Sequence, residues 1–567
     1  MRSISKCLIA LIFLYSLSYS QPCEHAHAAI LSLSIGLERE IAPDMLGLTS
    51  TQINYLGSWP NSPAHYSVLE TLQISSIRFP GEYYGNYWDM AVGWIDRSPE
   101  VTGDLPDKLA YLQSETGREY GIGNMASLSA ETDTSVLWLA NMLTDNSYIT
   151  QRVHTDPVQD ALESRNAFLQ SLTAAHSQGV PIEYIELGHE IYQDNLSTYR
   201  LPSDIFPDVQ AYAQVVSDWE QAIHSVYPNA QFAASGSDLQ DLNSLREQGW
   251  NEGLAEHLEE SSDIDALAVH IYSRPPWNPA PPDPDSEWGF LAEQQTAYAN
   301  LSDPVQVANL LQQPYQDVAS ILDRRPLNDE LRPNLRELDF EIWITEFNLW
   351  DQVGTTRHTW AHGLTIANYL DAFLREPKIS RFYLNGSHSI KSTPFFSFSS
   401  DPQYFIGLLL EEIDNAELSN SLTSDTPTAS GLVYSLFAKQ MQGRTTATQI
   451  VVTGSGLIPI GDYPWGWIFT GGNASNASVI LTNPSAEQYD ILIDIPGYSM
   501  ENSSYEQLFG IPHQFIAGTD MSIPSDYRLT YQTGPLHKYD TLTLPPYSLT
   551  VFQAHLQAAC WLPIVLR

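Results

Sequence analysis

Glu190 and Glu346 each follow a short apolar run. As a pair they could act on a glycosidic bond, one carboxyl protonating the leaving oxygen while the other attacks the anomeric carbon. A retaining pair of this kind needs its carboxyl groups about 5 to 5.5 Å apart. The first run carries Ile182, Tyr184, Ile185 and Leu187 ahead of Gly188, the β-branched and aromatic bias of a strand covered on both faces. The second runs from Phe340 and is apolar up to Glu346, where the strand is expected to give way to a polar loop. Carboxylates at the C-terminal ends of two buried parallel strands face one another across a barrel mouth. A single glutamate at a strand end is more often a surface or salt-bridged residue, so the weight lies on the pair and on the strands that carry it.

Those strands alternate with helices, as a parallel sheet requires. Strands are expected at Met45 to Thr49, Ser76 to Phe79, Val136 to Leu139, Ile182 to Gly188, Gln231 to Ala234, Ala266 to Ile271, the run ending in Glu346, and Arg381 to Leu384. Helices are expected over Ser67 to Ile74, Ala161 to His176, Pro207 to Tyr227, His358 to Leu374 and Ala429 to Met441. Eight strands make an α/β fold, a (β/α)8 TIM barrel over residues 41–443. The segment 392–426 has no place in that alternation. Beyond Gly443 the strands Ala447 to Val452, Trp465 to Thr470, Ser478 to Leu481, Tyr489 to Ile495 and Asp540 to Gln553 follow without helices, so residues 444–556 read as an accessory β-sandwich. Ala29 to Ile35 alternates apolar and polar residues before the barrel begins, and residues 29–40 are expected to pair with that sandwich.

The formal net charge of −41, from 67 acidic against 26 basic residues, makes nucleic acid and anionic membranes poor partners. Arg2 and Lys6, the apolar run Cys7 to Leu17 and the small residues Ser18 and Ser20 match a secretory signal peptide over residues 1–20, so a secreted or extracytoplasmic protein is expected. No later apolar run is long enough to span a membrane. Loss of the signal leaves Cys23 and Cys560, which permit no metal or redox spacing; a disulfide and two unpaired thiols are equal readings. Residues 557–567 form a C-terminal tail too short for an anchor.

Several side chains are placed to support the two glutamates. Arg78 ends the second strand, where a guanidinium at a barrel mouth is better suited to orient a carboxylate than to serve a structural ion pair. His270 and Tyr272 end the sixth strand, where a site role competes with that of satisfied core residues. Trp88, in an aromatic loop, and Trp277, in the proline-rich loop 274–283, offer faces for a sugar or for loop packing alike, as does Trp288. Asn141, Asn385 and His388 each follow a barrel strand. A carbohydrate is the expected partner, with no metal and no organic cofactor.

The stretch Ile185 to Glu190 reads Ile-Glu-Leu-Gly-His-Glu and resembles the strand-four motif Glu-Leu-Gly-Asn-Glu of clan A glycoside hydrolases, whose last glutamate is the acid/base. Trp343 to Phe347 resembles the strand-seven motif that holds their nucleophile. Ile77 to Trp88 is similar to the Arg-Tyr-Pro-Gly-Gly loop of the α-L-arabinofuranosidase branch, and Val269 to Tyr272 to the His-x-Tyr of strand six. Leu544 to Thr550 is similar to the final sandwich strand, so the resemblance spans about residues 29–556 and extends to β-glucuronidase-like branches. It implies an exported retaining glycoside hydrolase in which Glu190 is the general acid/base and Glu346 the nucleophile. Arg78, Trp88, Asn141, His189, His270, Tyr272 and Trp277 would bind substrate.

Two positions depart from that pattern. Glu82 stands where a glycine is usual, and His189 replaces the asparagine that bonds the sugar 2-hydroxyl. His189 is expected to be neutral in the working state, with activity falling on the acidic side as it protonates. The charge of Glu346 is expected to raise the pKa of Glu190. His189 also motivates an alternative, a carbohydrate-binding protein that has lost turnover. A metal hydrolase using His189, Glu190 and His270 lacks a spacing motif.

Overall fold

The computed structural model describes residues 30–49, 72–81, 85–86, 88–89, 94–95, 122–143, 157–193, 202–238, 246–247, 249–258, 263–277, 299–324, 334–350, 356, 359–385, 429–453, 463–472, 474, 476–501, 503–514 and 529–556. The expectations for the signal peptide, Cys23 and Cys560, Glu82, Trp288, His388, the segment 392–426 and the tail 557–567 lie outside them. So does most of the helix expected over Ser67 to Ile74.

Eight strands, Leu46–Thr49, Ser76–Phe79, Ser135–Ala140, Tyr184–Leu187, Gln231–Ser235, Ala266–Ser273, Glu341–Leu349 and Ile379–Leu384, close into a barrel. Every neighbouring pair is parallel, and the eighth strand pairs with the first. Helices Pro157–Ser177, Val209–His224, Trp360–Arg375 and Ala429–Met441 lie where the periodicity places them. Four others, Ile122–Thr132, the short Pro202–Ile205, Trp250–Leu258 and Pro304–Asp323, escaped the sequence reading. The last carries Pro304 in its first turn and Pro314 within it, so it reads as broken; Asp303 caps it by accepting from the Val305 amide at 2.9 Å.

Side chains pointing into the barrel stack in layers, as alternate strand residues must. Near the N-terminal ends of the strands Leu137, Ala233, Ala266, Ala268, Trp343 and Tyr383 pack with Tyr184. Arg381 lies 3.3 Å from the centre of the Tyr184 ring and 3.1 Å from Asp44. Two residues further along their strands come Arg78, Glu186 and Thr345, and the filling turns polar. The seventh strand breaks its alternation here: its register against the sixth shifts between Ile344 and Glu346. The shift turns the consecutive side chains Thr345 and Glu346 into the barrel together, the usual effect of a bulge beside a site. The strand also continues to Leu349, past the end expected at Glu346.

The strand Ile30–Glu40 pairs antiparallel with Thr446–Thr453 and parallel with Tyr489–Leu492. It lies inside a ten-stranded sheet whose other members all follow the barrel in sequence. That one sheet curls over a shared core, where Leu31, Ile450, Val479, Leu536, Leu542 and Phe552 pack together. Gln507 Nε2 bonds the Thr543 carbonyl at 3.0 Å between strands that are not ladder neighbours. The stretch expected as one strand from Asp540 to Gln553 divides into Thr541–Leu544 and Ser548–Leu556, because Pro545 and Pro546 intervene and Tyr547 takes φ 52°. Among the described residues no helix is long and apolar enough to cross a membrane.

Candidate active site

Glu190 is delivered by a tight turn. The fourth strand ends at Leu187, Gly188 takes φ 83°, and Glu190 itself takes φ 46°. A Cβ on Gly188 would lie 2.7 Å from Ile191 Cγ1, so only glycine fits. Asn86 clamps the peptide of His189 from both sides, its Oδ1 accepting from the His189 amide at 2.9 Å and its Nδ2 donating to the His189 carbonyl at 2.6 Å. Below the turn, the Tyr212 hydroxyl bonds the Leu187 carbonyl and accepts from the Ser235 amide at 2.7 Å.

Glu346, 2% exposed, is ringed by donors. Arg78 Nη1 donates to its Oε1 at 2.7 Å. Its Oε2 accepts from the Tyr272 hydroxyl at 2.5 Å and from Asn385 Nδ2 at 2.6 Å. Arg78, fully buried, turns its other edge to Glu186 in a two-pronged pair at 2.6 and 2.7 Å. One guanidinium therefore serves two buried carboxylates, an arrangement that a point-charge lysine could not match.

Two histidines bridge the glutamates. His270 Nδ1 lies 2.7 Å from Glu190 Oε1 and 3.9 Å from Glu346 Oε2. The separation of those two oxygens is therefore at most the sum of these legs, about 6.6 Å. That bound spans the retaining distance and touches only the lower edge of the inverting range, about 6.5 to 9.5 Å. His270 Nε2 lies 3.1 Å from Thr345 Oγ1, whose hydroxyl is 3.3 Å from Glu186 Oε1. His189 packs against His270 with ring centres 4.9 Å apart. Its Nδ1 lies 3.1 Å from Arg78 Nη2; a guanidinium has only donors, so Nδ1 accepts and the proton of the neutral ring sits on Nε2.

Burial and charge set the protonation. Burial pushes Glu346 up, but His270, His189 and Arg78, with the Tyr272 hydrogen bond, outweigh it and hold the carboxyl well below its usual range. Burial also pushes Glu190 up; His189 and the hydrogen-bonded His270 overcome this and the repulsion of Glu346, so Glu190 too lies below the ordinary value. The expected influence of Glu346 has the right sign, yet the two histidines outweigh it. His270 is pushed down by burial and raised, on balance, by Glu346 and Glu190. For His189 burial wins, and the ring is pushed down to about 3.

Glu190, Glu346, Arg78, His189, His270 and Tyr272 thus meet at one end of the barrel. The other expected site residues brace the walls. Trp88 is buried edge-on against Phe79 at 5.9 Å, and Asn141 Nδ2 donates to its carbonyl at 3.3 Å. Trp277, half-buried, packs on Leu301, Leu310, Leu349 and Ala361. Sequence reasoning assigned nothing to Glu186, Thr345 or Asn86. A charged residue amid the apolar fourth strand was the available signal, since a buried carboxylate demands a partner.

Glu186, His189 and His270 are near enough to share a metal ion. They do not fit one, because the permanently charged Arg78 already takes both oxygens of Glu186 and the lone pair of His189.

No family model matches the sequence. No curated protein matches it in sequence. Solved structures do match in fold. The α-L-arabinofuranosidase from Thermotoga maritima, in its arabinose complex, aligns with a TM-score of 0.56 and 12% identity over 93% of this chain and 100% of its own. A 4-O-α-L-rhamnosyl-β-D-glucuronidase from Fusarium oxysporum gives 0.52 and 11% over 93% and 100%. A bifunctional glucanase-xylanase from a metagenome library gives 0.51 and 12% over 93% and 99%. The three proteins carry three different activities, so what is shared is architecture. Together with the closed parallel barrel and the added sheet, this likeness gives the chain the fold of these solved structures, a (β/α)8 barrel carrying an accessory sheet.

Proposed function

We propose that this protein is an exported retaining glycoside hydrolase, with Glu346 as nucleophile and Glu190 as general acid/base. The observation that carries the reading is the bridge at His270, which holds the buried Glu346 and the 15% exposed Glu190 within about 6.6 Å at one barrel end. Glu346 is ionised and aimed by Arg78, Tyr272 and Asn385, as a carboxylate nucleophile must be. Attack on the anomeric carbon forms a glycosyl ester while the leaving oxygen takes a proton from Glu190. That proton is one the Glu190–His270 pair holds in common, which lets a carboxyl of lowered pKa still act as an acid. Esterification removes the charge of Glu346, and Glu190 then draws a proton from the water that hydrolyses the ester.

The substrate class is an O-linked oligo- or polysaccharide. The furanosidase, glucuronidase and glucanase-xylanase activities of proteins sharing the fold define the panel to try first. Aryl glycosides of these sugars, assayed with and without chelator, test the reading, with the anomer of the first product read by proton NMR. Chelator-insensitive turnover with retention is expected. Saccharide binding without turnover would support the binding-protein alternative, and inversion would reject the nucleophile.

A further inference from the structure

We propose that the accessory sheet positions the Glu346 carboxylate, acting through the first turn of the helix Trp360–Arg375 and the buried chain His362, Asn348 and Asn385. The inference rests on the reading of Glu346 as nucleophile.

The loop Ile511 to Gln514 follows the sheet strand Ser503–Phe509. Its Gln514 and Pro512 carbonyls accept from the Trp360 and Ala361 amides at 2.5 and 2.9 Å. These are amides that a helix start leaves without an internal partner. The Trp360 indole donates to the Tyr547 carbonyl at 2.6 Å, just before the sheet strand Ser548–Leu556. Three bonds thus tie the helix start to the sheet. From that same turn His362 Nε2 reaches Asn348 Oδ1 at 2.8 Å. The amide oxygen can only accept, so the proton of His362 in this bond is on Nε2. Asn348 Nδ2 donates to the Asn385 carbonyl, and Asn348 Oδ1 also accepts from the Leu349 amide at 2.7 Å. Asn385 gives its amide hydrogens to the Tyr272 hydroxyl at 2.5 Å and to Glu346 Oε2 at 2.6 Å.

Every side chain in this path is buried: His362 at 0%, Asn348 at 3%, Asn385 at 1% and Glu346 at 2%. Water cannot replace a lost link, so a shift at one end is passed to the other. The charged and titratable groups facing Glu346 come from other elements: Arg78 on the second strand, His189 and Glu190 after the fourth, His270 and Tyr272 on the sixth. None of them lies between the sheet and Asn385. His362 is therefore a positioning residue, and the sheet belongs to the working site.

The test compares full-length wild type, His362→Leu and His362→Gln on an aryl glycoside that the wild type hydrolyses, each variant checked for native circular dichroism. His362→Leu should lower kcat by roughly tenfold to a hundredfold, the cost of a misplacement near 1 Å, with KM changed little. Its acidic pH limb should move upward, because Glu346 loses part of a donor that keeps it ionised. His362→Gln, which can still donate, should recover most of both. A folded His362→Leu with wild-type kcat and acidic limb overturns the proposal, as does a Gln variant no better than Leu. If the Leu variant does not fold, Gln514→Ala is read instead. It removes the Oε1 that holds the loop through the Ile511 amide at 2.9 Å, and an unmoved acidic limb there is equally decisive. A wild type inert on every glycoside overturns the functional reading itself, and this proposal with it.

Discussion

His270 Nδ1 stands 2.7 Å from Glu190 Oε1, close enough for the two side chains to hold one proton between them. His270 Nε2 is occupied at Thr345 Oγ1, so the shared proton belongs on the Glu190 side of the ring. His270 titrates above its ordinary value and Glu190 below, which makes the loss of this proton an imidazole event. Activity should therefore persist up to the raised pKa of His270. His270→Leu leaves Glu190 to titrate as a carboxylate, and the basic limb of kcat/KM should move to lower pH. An unmoved basic limb would remove His270 from the acid.

Removing either carboxyl separates their roles. Glu190→Ala should lose roughly 10² to 10⁴ in rate with a poor leaving group, the usual worth of general acid catalysis, and far less with an activated aryl group. Glu346→Gln should lose activity with both. Equal losses on the two substrates in Glu190→Ala would contradict the assignment.

Burial holds His189 down at about 3, so it is neutral above that pH. The fall in activity that the sequence reading assigned to its protonation is thereby moved to strongly acidic solution. His189→Asn should leave the pH profile above that value unchanged and alter the discrimination between a substrate and its 2-deoxy analogue by roughly 3- to 10-fold, one hydrogen bond's worth. Stability carries the opposite signature. Between the ordinary imidazole value of 6.5 and about 3 the unfolded chain binds a proton that the folded chain refuses, so the contribution of His189 falls as pH falls. Urea unfolding at about pH 7 and about pH 5 should show that slope shrinking in His189→Asn.

Asp371, fully buried, accepts from the Trp467 indole at 2.8 Å, from Tyr315 at 2.5 Å and from Arg375 at 2.8 Å. Trp467 belongs to the sheet, so this carboxylate pins the helix Trp360–Arg375 to it. Asp371→Ala leaves Arg375 largely buried without its counter-charge and should cost about 3 to 5 kcal/mol, measured as a drop in thermal and urea midpoints. A loss under about 1 kcal/mol would show that this carboxylate does not hold the junction.

The barrel was legible because its strands are short, buried on both faces and rich in Ile, Val, Leu and aromatic residues; the run ending at Leu187 needs no partner to be recognised as a strand. The two glutamates were legible for a related reason, since Glu190 follows such a run and Glu346 interrupts one with a charge. Helix Pro304–Asp323 was hidden by its prolines, whose local preference the surrounding packing overrides. The polar layer was hidden more deeply. Neither Glu186 nor Thr345 names its partner until the barrel closes and sets Arg78, more than a hundred positions away, against Glu186 at 2.6 Å. Nor can spacing reveal that Thr345 and Glu346 both face inward, because the register shift that turns them is a property of pairing between two strands. Residue types along a strand determine that a carboxylate will be buried; which cation, histidine and amide meet it depends on closure, and closure decides its charge.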